Sequence, residues 1–127
     1  MCTVEAPIHQ AIKDKIVTST EQDTIHIFRT MHNTARVYKN KISQEVVRIE
    51  RRPSGAKFED VRDLVSGTRG RLVYETGDSD AGIWSAGVTV GLIKDIPTCE
   101  TLLDRIEREA EDIIERLAGL RLERSKL

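Results

Sequence analysis

Apolar residues recur at helical spacing near the start of the chain, where Ile8, Ala11, Ile12 and Ile16 lie between Pro7 and Val17. Steps of three and four predict a helix that Pro7 initiates and the polar pair Ser19-Thr20 ends. The period then shortens to two. Thr24-Ile25-His26-Ile27-Phe28 is β-branched and alternating, which predicts a short strand with His26 on the solvent side, out of phase with Ile25 and Ile27. A second strand is predicted at Ala35 to Tyr38, so that the two form a hairpin or small sheet. Asn40 opens a helix marked by Ile42, Val46, Val47 and Ile49, and Arg51-Arg52-Pro53-Ser54-Gly55 is the clearest loop in the chain.

Beyond that loop a helix is predicted from Lys57 to Val65, burying Phe58, Val61, Leu64 and Val65, with Gly67 just past its end. Arg69 to Glu75 is ambiguous between a helix and a strand using Leu72, Val73 and Tyr74. From Gly77 to Ile93 the residues become small, glycine-rich and nearly uncharged after Asp80. Pro97 and Thr98 then start a long helix in which Leu103, Ile106, Ala110, Ile113, Leu117 and Leu120 are spaced three, four, three, four, three. That stripe is nearly an a/d seam, which Leu102 and Ile114 widen toward an ordinary core-facing face. Self-association through this helix and packing against the rest of the protein both fit. The elements together predict a helix-rich α+β class.

Composition narrows the function classes. The chain has 127 residues, five of them aromatic (Phe28, Phe58, Tyr38, Tyr74 and Trp84), so its core must rely on Ile, Val and Leu. Lys and Arg number 20 against 21 Asp and Glu, a net charge of -1 with the signs mixed along the chain. This argues against nucleic acid as a partner. No apolar run approaches the ~18 residues of a membrane span, no signal-peptide pattern opens the chain, and Cys2 and Cys99 stand far apart as isolated thiols. The expected setting is the cytoplasm, without membrane insertion.

Chemistry is harder to find. The glycine-rich stretch lacks the Gly-Lys-Ser/Thr end of a P-loop and the GxGxxG fingerprint, and an EF-hand reading of Asp78 and Asp80 would put Thr89 where the twelfth-position carboxylate belongs. Two readings remain: Gly87 and Gly91, four apart, let a helix pack closely on a neighbour, or small residues let the backbone approach a flat ligand with Ser85 as a donor. No metal-ligand spacing occurs. Cys99 lies in the first turn of the last helix with no histidine near it in sequence to act as base, and His9 and His32 read equally well as capping or surface residues.

Asn33-Thr34-Ala35-Arg36-Val37 with Lys39-Asn40, and Gly77-Asp78-x-Asp80-Ala81-Gly82-x-Trp84-Ser85-Ala86-Gly87, resemble the flavin-dependent nitronate monooxygenases, also called 2-nitropropane dioxygenases. Phe58-Glu59-Asp60-Val61, Leu64-Val65-Ser66-Gly67 and Gly91-Leu92-Ile93 extend the likeness. The sequence is similar, more distantly, to the flavin-dependent enoyl-[acyl carrier protein] reductases.

The resemblance implies the C-terminal portion of an FMN-binding (β/α)8 barrel protein with a small inserted α+β domain. Residues 1–19 would be the end of the last barrel strand region and the following helix, 20–76 the inserted domain, and 77–127 the return to the barrel. The barrel strands, the flavin phosphate site and the catalytic histidine would lie upstream of Met1, and none of the three histidines here inherits that role. Trp84, Ser85, Ala86 and Gly87 would then lie near the flavin and substrate: Trp84 walling the pocket, Ser85 donating to an anionic substrate oxygen, Gly87 allowing close approach. Val88 stands where the family usually has glutamine. The implied reaction oxidises an alkyl nitronate, or a nitroalkane after proton removal, to a carbonyl compound and nitrite with oxygen, and the chain alone is expected to hold FMN weakly and not to turn over. The alternatives are an NAD(P)H-dependent flavin reductase acting on a quinone or enoyl substrate, and a non-enzymatic module that pairs through its last helix.

Overall fold

The computed structural model describes residues 1–124, with side chains through Leu120; the end of the 77–127 segment lies outside the described residues. Four helices and two strands are present: α1 (Gln10–Thr18), β1 (Thr24–Ile27), β2 (Ala35–Tyr38), α2 (Lys41–Glu50), α3 (Gly67–Thr76) and α4 (Cys99–Arg124). The helix-rich α+β class is as expected. Two compact units divide the chain, one of Met1–Cys2 with Ala6–Asp95, the other of Thr3–Glu5 with the residues from Ile96 onward.

In the larger unit β1 and β2 pair antiparallel, with Ile25 opposite Val37 and His26 opposite Arg36. One apolar cluster gathers Ile12, Ile16, Tyr38, Val73, Trp84 and Val90; a second gathers Ile27, Val37, Val46, Ile49 and Val61. Residues from before position 20, from 20–76 and from beyond 77 thus share one core. Apart from Tyr38 and Trp84, every buried apolar side chain among the described residues is Ile or Val. Leucine, expected to contribute, is not among them.

Several predicted elements are redrawn. The first helix begins at Gln10 rather than Pro7, because His9 Nδ1 accepts the Ala11 N–H at 3.2 Å and caps it. Phe28 leaves the strand, turning at φ 61°. For a bulky residue this conformation costs on the order of 1–3 kcal/mol. Glu50 holds it there: its carboxylate accepts the N–H groups of Phe28 at 3.0 Å and Thr30 at 3.4 Å, and the Thr30 hydroxyl at 3.2 Å.

The helix expected at Lys57–Val65 is a single 3-10 turn, Phe58–Asp60, followed by turns. Asp60 accepts the Lys57 N–H at 2.8 Å and so caps the turn at its N-terminal end, but the stretch beyond it is too short to be stable alone as a helix. Phe58 is half-exposed and only Val61 is fully buried. Gly67 accordingly opens α3 instead of ending a helix, and the ambiguous Arg69–Glu75 run is helical: Val73 is buried, Leu72 exposed, and Arg71 pairs with Glu75 at 2.6 Å one turn on. Gly77 ends α3 in the left-handed conformation at φ 78°.

In the smaller unit Val4 N–H donates to the Pro97 carbonyl at 2.9 Å. The Glu5 carboxylate accepts the Cys99 N–H at 2.9 and 3.0 Å, so a residue 94 positions upstream supplies negative charge to the start of α4. The helix runs 26 residues, about 39 Å. Its stripe residues Leu103, Ile106, Ile113, Ile114, Leu117 and Leu120 are all exposed.

Candidate functional site

The glycine-rich segment is built outward from Asn40. This residue caps α2, its Oδ1 accepting the Ser43 N–H at 2.8 Å while Ser43 Oγ accepts the Asn40 N–H at 2.9 Å. The remaining amide protons are spent at long range: Nδ2 donates to the Ser79 carbonyl at 2.6 Å and the Gly82 carbonyl at 2.7 Å. One buried side chain therefore joins the Lys39-Asn40 motif to the Gly77–Gly87 motif. Asp80 adds to the joint, accepting the Lys41 N–H at 3.1 Å and pairing with its ammonium at 3.3 Å. The Lys41 N–H first, and the ammonium as well, hold the Asp80 carboxyl below the usual aspartate range.

Glycine provides the close fit. A Cβ on Gly82 would lie 2.5 Å from the Arg69 carbonyl carbon, and Arg69 Nε donates to the neighbouring Ala81 carbonyl at 2.8 Å. Gly91 lies in a 3-10 turn, Val88–Leu92, where a Cβ would come 2.8 Å from the Glu21 backbone nitrogen. Gly87 differs: a Cβ there would meet only Thr89 Oγ1, at 3.5 Å. Gly87 and Gly91 are therefore not a helix-packing pair. Gly82 and Gly91 pack against backbone, and Gly87 is left at the surface.

Trp84 is buried, its ring stacked on Tyr38 with centroids 4.2 Å apart and planes 13° from parallel, and its Nε1 donates to the Ser79 carbonyl at 3.3 Å. The Tyr38 N–H donates to the Trp84 carbonyl at 2.9 Å, and Ser85 bridges to Val37. Burial raises the pKa of the half-buried Tyr74 phenol, against the opposing effect of the nearby Ser85 backbone. Ser85 and Gly87 are exposed and Ala86 is half-buried against the core, so Ser85-Ala86-Gly87 is a short extended surface segment between buried Trp84 and buried Val90. Tyr38, which holds Trp84, and Asn40 and Arg69, which hold Ser79–Gly82 ahead of it, were not expected among the site's residues. Only Asn40 carried a signal, as the polar residue opening a helix.

A flavin needs a wall for its ring and a cradle for its phosphate. The exposed Ser85–Gly87 segment leaves room for one edge of such a site, but among the described residues no phosphate-cradling glycine loop accompanies it, so these residues fit part of an FMN site and not the whole. The histidines lie elsewhere: His9 caps α1 beside Gly77, His26 faces Arg36, and His32 sits in the hairpin loop at φ 55°. Among the described residues no three His, Cys, Asp or Glu side chains gather as a metal site, and no helix is long and apolar enough to cross a membrane.

No family model matches the chain. FabK from Thermotoga maritima superposes with a TM-score of 0.80 at 24% identity, over 93% of this chain and 36% of that one. A point mutant of that protein gives 0.72 at 23% identity. The helix-rich α+β arrangement is thus that of a region of FabK, and the chain spans about a third of its length. Among curated proteins, the (3aS,4S,5R,7aS)-5-hydroxy-7a-methyl-1-oxo-octahydro-1H-indene-4-carboxyl-CoA dehydrogenase of Rhodococcus jostii (strain RHA1) is 42% identical over 45 residues, which is 35% of this chain and 13% of that protein.

Proposed function

We propose that this chain forms part of a flavin-dependent oxidoreductase, with Ser85, Ala86 and Gly87 as one wall of the flavin and substrate site and Trp84 as the buried support of that wall. The observation that carries this reading is the exposed Ser85–Gly87 segment, following the Trp84–Tyr38 stack and the Asn40 network, in a chain that superposes on FabK over 93% of its length. FMN, when bound, accepts and passes on electrons. This chain's own part is to orient: Ser85 Oγ donates a hydrogen bond to a substrate oxygen, and Gly87 keeps the approach to the ring clear.

Of the reactions open to such a protein, reduction of a quinone or enoyl thioester with NADH or NADPH is the first reading, supported by the likeness to FabK and by the CoA-linked dehydrogenase among the curated relatives. Oxidation of nitronates to carbonyl compounds and nitrite is the second, supported by the Asn33–Val37 and Gly77–Gly87 motifs. Val88, half-exposed where the nitronate enzymes usually have glutamine, weighs against it. An assay of the chain combined with a barrel segment separates them. NADH oxidation without nitrite is expected; nitrite release from a nitronate without NADH would overturn the first reading in favour of the second.

A further inference from the structure

The larger unit carries a second concave surface that the flavin reading does not use. A cleft of about 400 Å³ opens beside β1 and β2, and His26, Arg29, Thr30, Arg36, Glu50 and Arg51 are among its lining residues. The antiparallel register sets His26 opposite Arg36, so both project from one face of the pair. Arg29 follows β1 in the hairpin loop, and Arg51 closes the C-terminal end of α2. Three arginines thus line one small volume.

Like charges gathered in this way repel unless an anion neutralises them. Glu50 is the one carboxylate in the lining, and its oxygens are already engaged by the Phe28 and Thr30 N–H groups and the Thr30 hydroxyl. Arg36 Nη1 donates to a neutral partner, Thr24 Oγ1, at 2.8 Å. None of the ion pairs Lys41–Asp80, Arg48–Glu45 and Arg71–Glu75 includes a cleft arginine. Glu50 serves the cleft differently: the two amides it holds flank Arg29 and fix the loop that presents it.

We infer that this cleft binds a phosphate-bearing ligand, a mono- or diphosphate ester such as the phosphate end of a nucleotide cofactor or of a thioester carrier. Guanidinium groups pair with phosphate oxygens in a bidentate fork, and several around one pocket match a dianion better than any neutral group. The volume falls at the small end of the range of about 300–1,000 Å³ seen for small-molecule sites, enough for a diphosphate with the sugar that carries it. The inference does not rest on flavin chemistry and stands or falls separately from it.

Calorimetric titration of the 127-residue chain at low ionic strength, with pyrophosphate, coenzyme A and NADPH in turn, tests it. Saturable binding of pyrophosphate is expected, weakened about tenfold in each of Arg29→Gln and Arg51→Gln, whose exposed side chains can be changed without disturbing the core, and unchanged in Arg71→Gln on α3. Tighter binding of coenzyme A than of NADPH would assign the cleft to a thioester carrier, and the reverse to a dinucleotide; both support the inference. No saturable binding of pyrophosphate by chain that circular dichroism shows to be folded would overturn it. So would equal affinity in the wild type and the Arg29→Gln/Arg51→Gln double variant.

Discussion

Asn40 is where the two motifs of the sequence become one structure. Its side chain caps α2 and also satisfies two carbonyls of the glycine-rich segment. Asn40→Ala removes a cap, about 0.5–2 kcal/mol, and leaves buried acceptors unpaired, about 1–3 kcal/mol more; chemical denaturation should show a loss of about 2–4 kcal/mol. Asn40→Asp should be at least as damaging, because a carboxylate keeps the cap but faces the Ser79 and Gly82 carbonyls without a donor. The glycines divide in the same physical way. Gly82→Ala drives a Cβ into the Arg69 backbone and should destabilise strongly, whereas Gly87→Ala meets nothing closer than Thr89 and should stay within about 0.5 kcal/mol of wild type. Equal losses at the two positions would show that the turn is packed rather than presented. Asp80 gives a pH dependence: its carboxyl is held below the unfolded value of 3.8, so its contribution is present above that value and is lost as pH falls through the lower folded one. The melting temperature of Asp80→Asn should therefore fall less than that of wild type between about pH 5 and pH 2.5.

At the scale of elements, periodicity located both strands, α2 and α4, because each has its apolar residues in phase with a face that local sequence alone defines. It failed where a single side chain decided the backbone. The stretch after Lys57 is capped by Asp60 yet closes only a 3-10 turn, and Glu50, 22 positions from Phe28, turns that residue out of its strand. Such bonds have no period. The candidate segment was partly legible: small residues marked Ser85–Gly87 as unusual, but nothing in their spacing revealed that Trp84 stacks on Tyr38 or that Ser85 bridges to Val37. The α4 stripe was legible as apolar and is exposed along its length. An exposed apolar face of this extent promotes association. Sedimentation of the isolated chain should show loose, concentration-dependent self-association that Ile106→Glu with Ile113→Glu abolishes without lowering the melting temperature. A tight dimer of fixed stoichiometry would instead favour a dedicated pairing helix.

Among the described residues leucine is absent from the buried apolar set and exposed along α4, and the chain covers about a third of the structures it superposes on. The central claim is that the exposed Ser85–Gly87 segment is a wall of a flavin site that a barrel segment completes. Gly87→Leu is suited to test it, since the position has room for a side chain within this chain and lies on the face proposed for the flavin. The most direct measurement is flavin absorbance retained after gel filtration, for the chain alone and for the chain mixed with the part of FabK it does not superpose on. The account predicts retention only in the mixture, and its loss when Gly87→Leu replaces the wild type. Flavin held by the chain alone, or held equally in the mixture with Gly87→Leu, would contradict it.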